Sequence, residues 1–269
     1  MLELTNRLLA AADGSGSAVV LASVLEVGPL AIEAGSRMLV DRSGARMGGL
    51  GDPALEELVA AFAADAFDRH AAETVYLDAA ATRLSARTIS GAAAIYLEVV
   101  EHKPVFLVVG AGHVGRCVAK LADYLDYHVA VLDDREDFAD PALLPEADEV
   151  ICDDFEAALE RFPIDSNTSI VLVTRGHKQD ELSLRKCLGR GAAYLGMIGS
   201  KRRTGAVLEH LREEGFDPAE IARVRTPIGL DIAAETPEEI AISVMAEVIM
   251  LRKGAGGGPM YFRPASTRA

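Results

Sequence analysis

Pro104-Val-Phe-Leu-Val-Val109 runs directly into Gly110-Ala-Gly112-His113-Val114-Gly115, and a helical run then leads to His128-Val-Ala-Val-Leu-Asp133-Asp134-Arg135. An apolar strand, a G-x-G-x-x-G turn, a helix and a second strand ending in acid therefore follow one another, with Asp133 placed 23 residues beyond Gly110. A glycine motif alone is weak; strand, helix and acid at these offsets make a βαβ unit of the dinucleotide-binding kind. Gly110, Gly112 and Gly115 let the backbone approach a pyrophosphate. The helix opening at His113 and Val114 aims its free N–H groups and positive dipole end at that charge. Asp133 is expected to hydrogen-bond a ribose-like diol, with Asp134 and Arg135 beside it.

Working outward, the alternation continues. Strands are predicted at Val105–Val109, His128–Leu132, Glu149–Cys152, Ser169–Thr174 and Ala193–Ile198, with helices near 113–125, 155–161, 180–189, 200–214 and 237–252. This α/β pattern predicts a Rossmann-like, mostly parallel sheet over 104–252, covered on both faces. Before Glu238-Glu239, Thr236 is expected as N-cap and Pro237 as the first helical residue. Residues 1–101 read as a smaller α+β domain. It has a helix at Leu2–Ala12, strands at Ala18–Leu25, Met38–Val40, Thr74–Leu77 and Ala93–Val99, and a helix over 54–72. His102-Lys103-Pro104 is the expected boundary, because the residue before proline favours extended backbone. Residues 253–269, beginning Lys253-Gly-Ala-Gly-Gly-Gly258, are expected to form a flexible tail.

The whole chain sets bounds on function. It has 269 residues, half of them hydrophobic, and no tryptophan, so its cores must be aliphatic. With 27 Lys and Arg against 41 Asp and Glu the net charge is −14, which argues against nucleic acid or an anionic membrane as main partner. Cys117, Cys152 and Cys187 are widely spaced and lack any C-x-x-C, so neither a disulfide framework nor a metal site is expected. The absence of a signal-like N-terminus and of a long apolar window leads us to expect a cytoplasmic protein with no membrane span.

In open parallel sheets ligands sit outside the carboxyl ends of the strands. The residues following the predicted strands there are polar or charged: Gly110–Gly115, Asp133-Asp134-Arg135, Thr174-Arg175-Gly176-His177 and Gly199-Ser200-Lys201-Arg202. The last is a candidate second anion site, with Ser200 expected to cap the following helix. His177 is the candidate for chemistry, as an anion donor, acid–base group or metal ligand; a loop histidine bonded to a carbonyl is the competing account. His113 is expected to pack or cap beside a ligand. In the N-terminal domain, Met47-Gly48-Gly49 and its neighbours read as tight turns.

Taken together, Phe106–Gly115, Leu132–Arg135, Val173–His177, Gly196-Met-Ile-Gly-Ser-Lys-Arg202 and Pro227-Ile-Gly-Leu-Asp231 with Glu235-Thr-Pro-Glu-Glu-Ile240 resemble the XdhC/CoxI family of accessory proteins for molybdenum hydroxylases. Gly35-Ser-Arg-Met-Leu-Val40 extends the resemblance more weakly into the N-terminal domain. The resemblance implies a protein that binds the molybdenum cofactor, a pyranopterin in simple or dinucleotide form. It would protect the cofactor during sulfuration and deliver it to an apo-hydroxylase such as xanthine dehydrogenase or carbon monoxide dehydrogenase. The implied partners are that apo-enzyme and the cofactor-biosynthesis and sulfuration proteins. The chain departs from the family's G-G-G-C-x-E segment: Gly51-Asp52-Pro53-Ala54-Leu55-Glu56 keeps the glutamate and puts Ala54 at the cysteine position. Two other readings stand beside this one: an NAD(P)-dependent oxidoreductase using His177, and a nucleotide-sensing module without turnover. A homodimer is the base-rate expectation.

Overall fold

Strand-forming residues that alternate in burial build the first half of a computed structural model of the chain, which describes residues 2–85 and 91–258. After helix α1 (Leu2–Ala12) come β1 (Val19–Glu26), β2 (Arg37–Asp41), β3 (Arg46–Gly49), α2 (Pro53–Arg69), β4 (Glu73–Leu77) and β5 (Ala93–Val100). The strands form one antiparallel sheet in the order β3-β2-β1-β5-β4. Val20, Ala22, Met38 and Val40 pack under Leu55, Val59, Ala63 and Phe67 of α2. Val19 and Leu39, on the opposite face, meet Ala11 and the half-buried Leu4 and Leu8 of α1. Asp52 caps α2 by accepting from Ala54 N at 2.9 Å, and Pro53 takes the first helical position.

Strand β3 corrects the expectation of tight turns at Met47-Gly48-Gly49. Arg46–Gly49 pairs with β2 in register Leu39↔Met47 and Met38↔Gly48. Only glycine fits at 48: its φ is +83°, and a Cβ there would lie 2.5 Å from the Arg37 carbonyl oxygen.

The chain divides at Lys103/Pro104. Beyond it run β6 (Val105–Val109), α3 (His113–Tyr124), β7 (His128–Asp133), a 3₁₀ turn (Pro141–Leu143), β8 (Glu149–Cys152) and α4 (Phe155–Arg161). The chain then returns through β9 (Thr168–Leu172), α5 (His177–Cys187), β10 (Tyr194–Met197), α6 (Lys201–Glu213), α7 (Pro218–Arg223) and α8 (Pro237–Arg252). All five strands are parallel, in the order β10-β9-β6-β7-β8. Both faces are covered. Phe106 and Val108 point to α3 and α8, where Val118, Ala122, Val244 and Val248 are buried. Leu107 and Val109 point to the other side, toward Leu159, Leu184 and Leu211. Two covered faces explain why β6 is a continuous apolar run.

Three local expectations change. α5 starts at His177 rather than 180, and β9 ends at Leu172, so Val173–Gly176 is a short loop. α7 is an additional helix, capped by Asp217 accepting from Ala219 N at 2.8 Å. Thr236 and Pro237 do open α8, through a reciprocal capping box with Glu239. Within the expected tail, residues 255–258 carry no helix or strand, and 259–269 lie outside the described residues. Among the described residues no helix is long and apolar enough to cross a membrane.

Candidate functional site

The strand order reverses direction between β6 and β9, where successive connections leave toward opposite sides of the sheet; such a switch point opens a crevice at the carboxyl ends. The three glycines of the β6–α3 turn do different work there. Gly110, at φ +114°, lies against the β9–α5 loop: a Cβ would sit 2.6 Å from the Val173 oxygen and 2.9 Å from Thr174 Cα. Gly115 holds α3 against the turn, with a Cβ position 1.9 Å from the Gly110 oxygen. Gly112, the N-cap of α3, has an ordinary φ of −69° and nothing within 4 Å of its Cβ position. Two glycines thus let the protein close on itself, and the middle one faces open space. His113 is exposed at the first position of α3, and Val114 packs its side chain into the α3–α8 core.

Asp133 does not point outward to a diol; this corrects the sequence expectation. The side chain is 1% exposed and turns back into the glycine turn, where Oδ2 accepts from Ala111 N at 2.8 Å. Its remaining capacity goes to Arg135, with Nε–Oδ1 at 2.8 Å and Nη2–Oδ2 at 2.9 Å. Arg135 also lies over the Phe138 ring, 3.4 Å from its centroid, and is therefore held by the protein rather than open to a phosphate. Burial pushes the Asp133 carboxyl up, but the Arg135 guanidinium and the Ala111 amide outweigh it, leaving the group below the usual carboxylate range. A depressed folded pKa contributes stability above the ordinary carboxylate value and loses it as pH falls through the folded one. We expect Asp133→Asn to cost about 3 kcal/mol at neutral pH, since it leaves the mostly buried Arg135 without its anion. Urea titrations should show the difference from the parent shrinking below about pH 4. A difference that held constant into acid would exclude this assignment.

Asp134 is the outward acid. It meets Arg175 across the turn, Nη2–Oδ2 3.4 Å, joining the loops that follow the two strands flanking β6. On the β9 side, buried Asp180 accepts from Thr174 N at 3.1 Å and from Thr174 Oγ1 at 2.6 Å, fixing the loop. Sequence reasoning did not single out Asp180; an acid in the first turn after Thr174-Arg175-Gly176 was the available signal. Gly176 is the N-cap of α5. His177 opens that helix, and its side chain lies outside what the structure describes.

The β10–α6 turn supplies the third element. Gly199 (φ +155°) approaches Thr204, and Ser200 is the N-cap of α6 but makes no side-chain capping bond, contrary to expectation. Its carbonyl instead accepts from Thr204 Oγ1 at 3.2 Å. The helices α2, α4, α7 and α8 each carry a side-chain cap from Asp52, Asp154, Asp217 and Thr236. Among the N-caps the structure describes, those without a side-chain bond belong to α3, α5 and α6, which follow β6, β9 and β10 at the crevice. Lys178, Lys201 and Arg202, in the first turns of α5 and α6, are exposed and form no side-chain ion pair or hydrogen bond among the described residues. Uncapped amides and exposed cations in a chain of net charge −14 give this rim the chemistry to hold an anion.

In the N-terminal unit, Glu56 is a structural clamp: Oε1 accepts from Leu50 N at 2.8 Å and Gly51 N at 3.3 Å. Ala54 is exposed beside it at the start of α2. Among the described residues, no group of three or more His, Cys, Asp or Glu is placed to hold a metal ion. Cys187 is buried, and burial pushes its thiol up to about 12; burial raises Cys117 as well, with the charge of Glu238 adding to it.

The parallel sheet, its switch point and its glycine-lined turn define a Rossmann domain. The chain belongs to the XdhC and CoxI family: the XdhC Rossmann domain matches residues 106–248, and the XdhC and CoxI domain matches residues 12–78. It is 36% identical over 171 residues to the uncharacterized protein YqeB of Escherichia coli, covering 63% of this chain and 31% of that one. A protein of Bacillus subtilis described as a probable xanthine dehydrogenase subunit is 32% identical over 159 residues, 59% of this chain and 46% of that protein. The molybdenum cofactor insertion chaperone PaoD of Escherichia coli is 30% identical over 89 residues, 33% of this chain and 28% of its own length. The chain thus spans less than half the length of each of these relatives. A Bacillus halodurans protein solved as a xanthine dehydrogenase has the same fold, with a TM-score of 0.53 at 20% identity over 94% of this chain and 96% of that one.

Proposed function

We propose that this protein is an accessory factor that binds the molybdenum cofactor and matures or inserts it into a molybdenum hydroxylase of the xanthine dehydrogenase or carbon monoxide dehydrogenase type. The observation that carries the reading is the rim itself: three helix starts without side-chain caps, two of them bearing unpaired cations, around an open Gly112. The phosphate or pyrophosphate of a pyranopterin suits such a rim. Gly110, Gly112, His113, Val114 and Gly115 would form one side of it, Thr174–His177 and Gly199–Arg202 the other, all within residues 104–252. Asp133 and Arg135 serve as supports behind the turn. The name of PaoD supports the same role. An apo-hydroxylase and cofactor-sulfuration proteins follow as partners, in a reducing cytoplasm that keeps the three cysteines as thiols.

The oxidoreductase alternative is weakened by Asp133. A diol contact would fall to Asp134, which already faces Arg175. Anaerobic native mass spectrometry of the protein, offered molybdenum cofactor and NAD(H) separately, tests the two. A retained pterin mass without a nicotinamide adduct supports the accessory role; tight NAD(H) without pterin overturns it. Lys201→Ala with Arg202→Ala should weaken cofactor binding about tenfold and flatten its dependence on sodium chloride. Unchanged affinity and salt slope would remove the second rim from the site.

A further inference from the structure

Between α7 and α8 the chain forms a loop, residues 225–236, that the proposed anion rim does not use. It is tied at both ends. Thr226 Oγ1 donates to the Met197 carbonyl at 3.0 Å, and Arg225 bridges in parallel to Gly196 of β10. Gly229 N donates to Glu247 Oε2 at 2.9 Å, and Ser243 Oγ donates to the Leu230 carbonyl at 2.6 Å. Gly229, at φ +93°, presses onto α8 so closely that a Cβ would lie 2.3 Å from Ser243 Oγ. Ala233 adopts φ +57°, a strained conformation for a residue with a side chain. Such a loop is built in place before any ligand arrives.

The loop borders an open cavity of about 420 Å³, within the usual range of small-molecule sites. Its lining is mixed: Ile228, Leu230, Ile232 and Ile240 supply apolar surface, and the exposed Lys201 and Asp231 supply charge. Neither charged side chain has a hydrogen bond or ion pair among the described residues. Lys201 is also the first residue of α6, so the cavity and the proposed anion rim share that residue. On its other side the loop leads into α8, which packs along α3, the helix that the glycine turn opens. The cavity therefore opens at the same edge of the sheet as the glycine turn.

A carboxylate is an acceptor only, and its two oxygens match two parallel N–H donors. Among planar biological heterocycles, a ring N–H adjacent to an exocyclic amino group occurs on the aminopyrimidinone edge shared by guanine and pterin. Adenine, cytosine and nicotinamide lack that pair of donors. We infer that this cavity is the ring compartment of the cleft and takes a phosphorylated aminopyrimidinone heterocycle, its N–H edge on Asp231 and its phosphate at Lys201. The inference deepens the proposed function and rests on it for the source of the ring, a pterin or a guanine nucleotide.

Isothermal titration of the full chain with a pterin monophosphate, GMP, AMP and inorganic phosphate tests it. At least one of the first two should bind about tenfold or more tighter than AMP and phosphate. Asp231→Asn should erase that preference, a loss of about 10- to 100-fold, while leaving AMP and phosphate unchanged. Lys201→Ala should weaken every phosphate ligand alike, and Ala234→Phe, which fills the cavity, should exclude both rings. Tighter binding of the pterin identifies a cofactor site; tighter binding of GMP identifies a guanine-nucleotide site and counts against the accessory role alone. Equal affinity for all four probes, binding of none, or an Asp231→Asn variant that keeps its preference overturns the inference, and retained cofactor in the mass spectrum would leave the accessory role standing.

Discussion

Gly112→Asp is expected to fold as stably as the parent and to lose phosphate-bearing ligands by at least about 100-fold, or roughly 2.7 kcal/mol. The two halves of that expectation have separate causes. Gly112 is an N-cap with φ −69° and open space around its Cβ position, so a side chain meets neither strain nor clash. Aspartate is also among the preferred N-caps, and the gain over glycine is a few tenths of a kcal/mol. The same carboxylate accepts from the first-turn amides of α3 and puts negative charge where the anion would sit. Thermal unfolding should therefore be unchanged or slightly higher, while native mass spectrometry with the cofactor shows none retained. Retention at the parent level would remove the glycine turn from the site.

Gly115→Ala should do the reverse and damage the fold. Its methyl would sit 1.9 Å from the Gly110 carbonyl oxygen and 3.2 Å from Val108 Cγ1, and a backbone carbonyl cannot swing aside as a side-chain end can. α3 has to lift off β6, opening a core that includes Phe106, Val118 and Val244. The expected cost is about 3 kcal/mol or more, at the upper end of overpacking. Gly205→Ala is the control. It lies inside α6 with nothing near its Cβ position, and alanine there should add about 0.5–1 kcal/mol. Urea unfolding of the two variants should move in opposite directions; a tolerated Gly115→Ala would mean that α3 does not pack on the turn as described.

The parallel half of the fold was legible because strands covered on both faces leave a plain trace, as in Val105–Val109 and His128–Asp133. Strand β3 left none. Arg46-Met-Gly-Gly49 has two glycines and no alternation, and its extended state comes from pairing with β2, a partner that local sequence does not specify. Helix α7 has six residues and buries Ile221, too short for periodicity, though Asp217-Pro218 signalled its start. At the candidate site, the glycine spacing located the β6–α3 turn, and the Gly199–Arg202 cluster located the β10–α6 turn. Two directions were hidden. Whether Asp133 faces out or back depends on Ala111 and Arg135 folding toward it, and the start of α5 depends on Asp180 gripping Thr174. A missing cap at Ser200 is equally invisible, since serine is a good cap when its side chain turns inward.

The hydrogen bond from Ala111 to Asp133 bears on how a guest is captured as well as on how the turn stands. Because a buried carboxylate grips this amide within the chain itself, the ordering of the glycine turn is completed during folding. Capture then carries little conformational entropy loss from the receptor at this turn. The calorimetric entropy of association should reflect mainly the guest's lost motion and the water released around it, and loosening Asp133 would transfer an ordering cost from the folding step to the binding step.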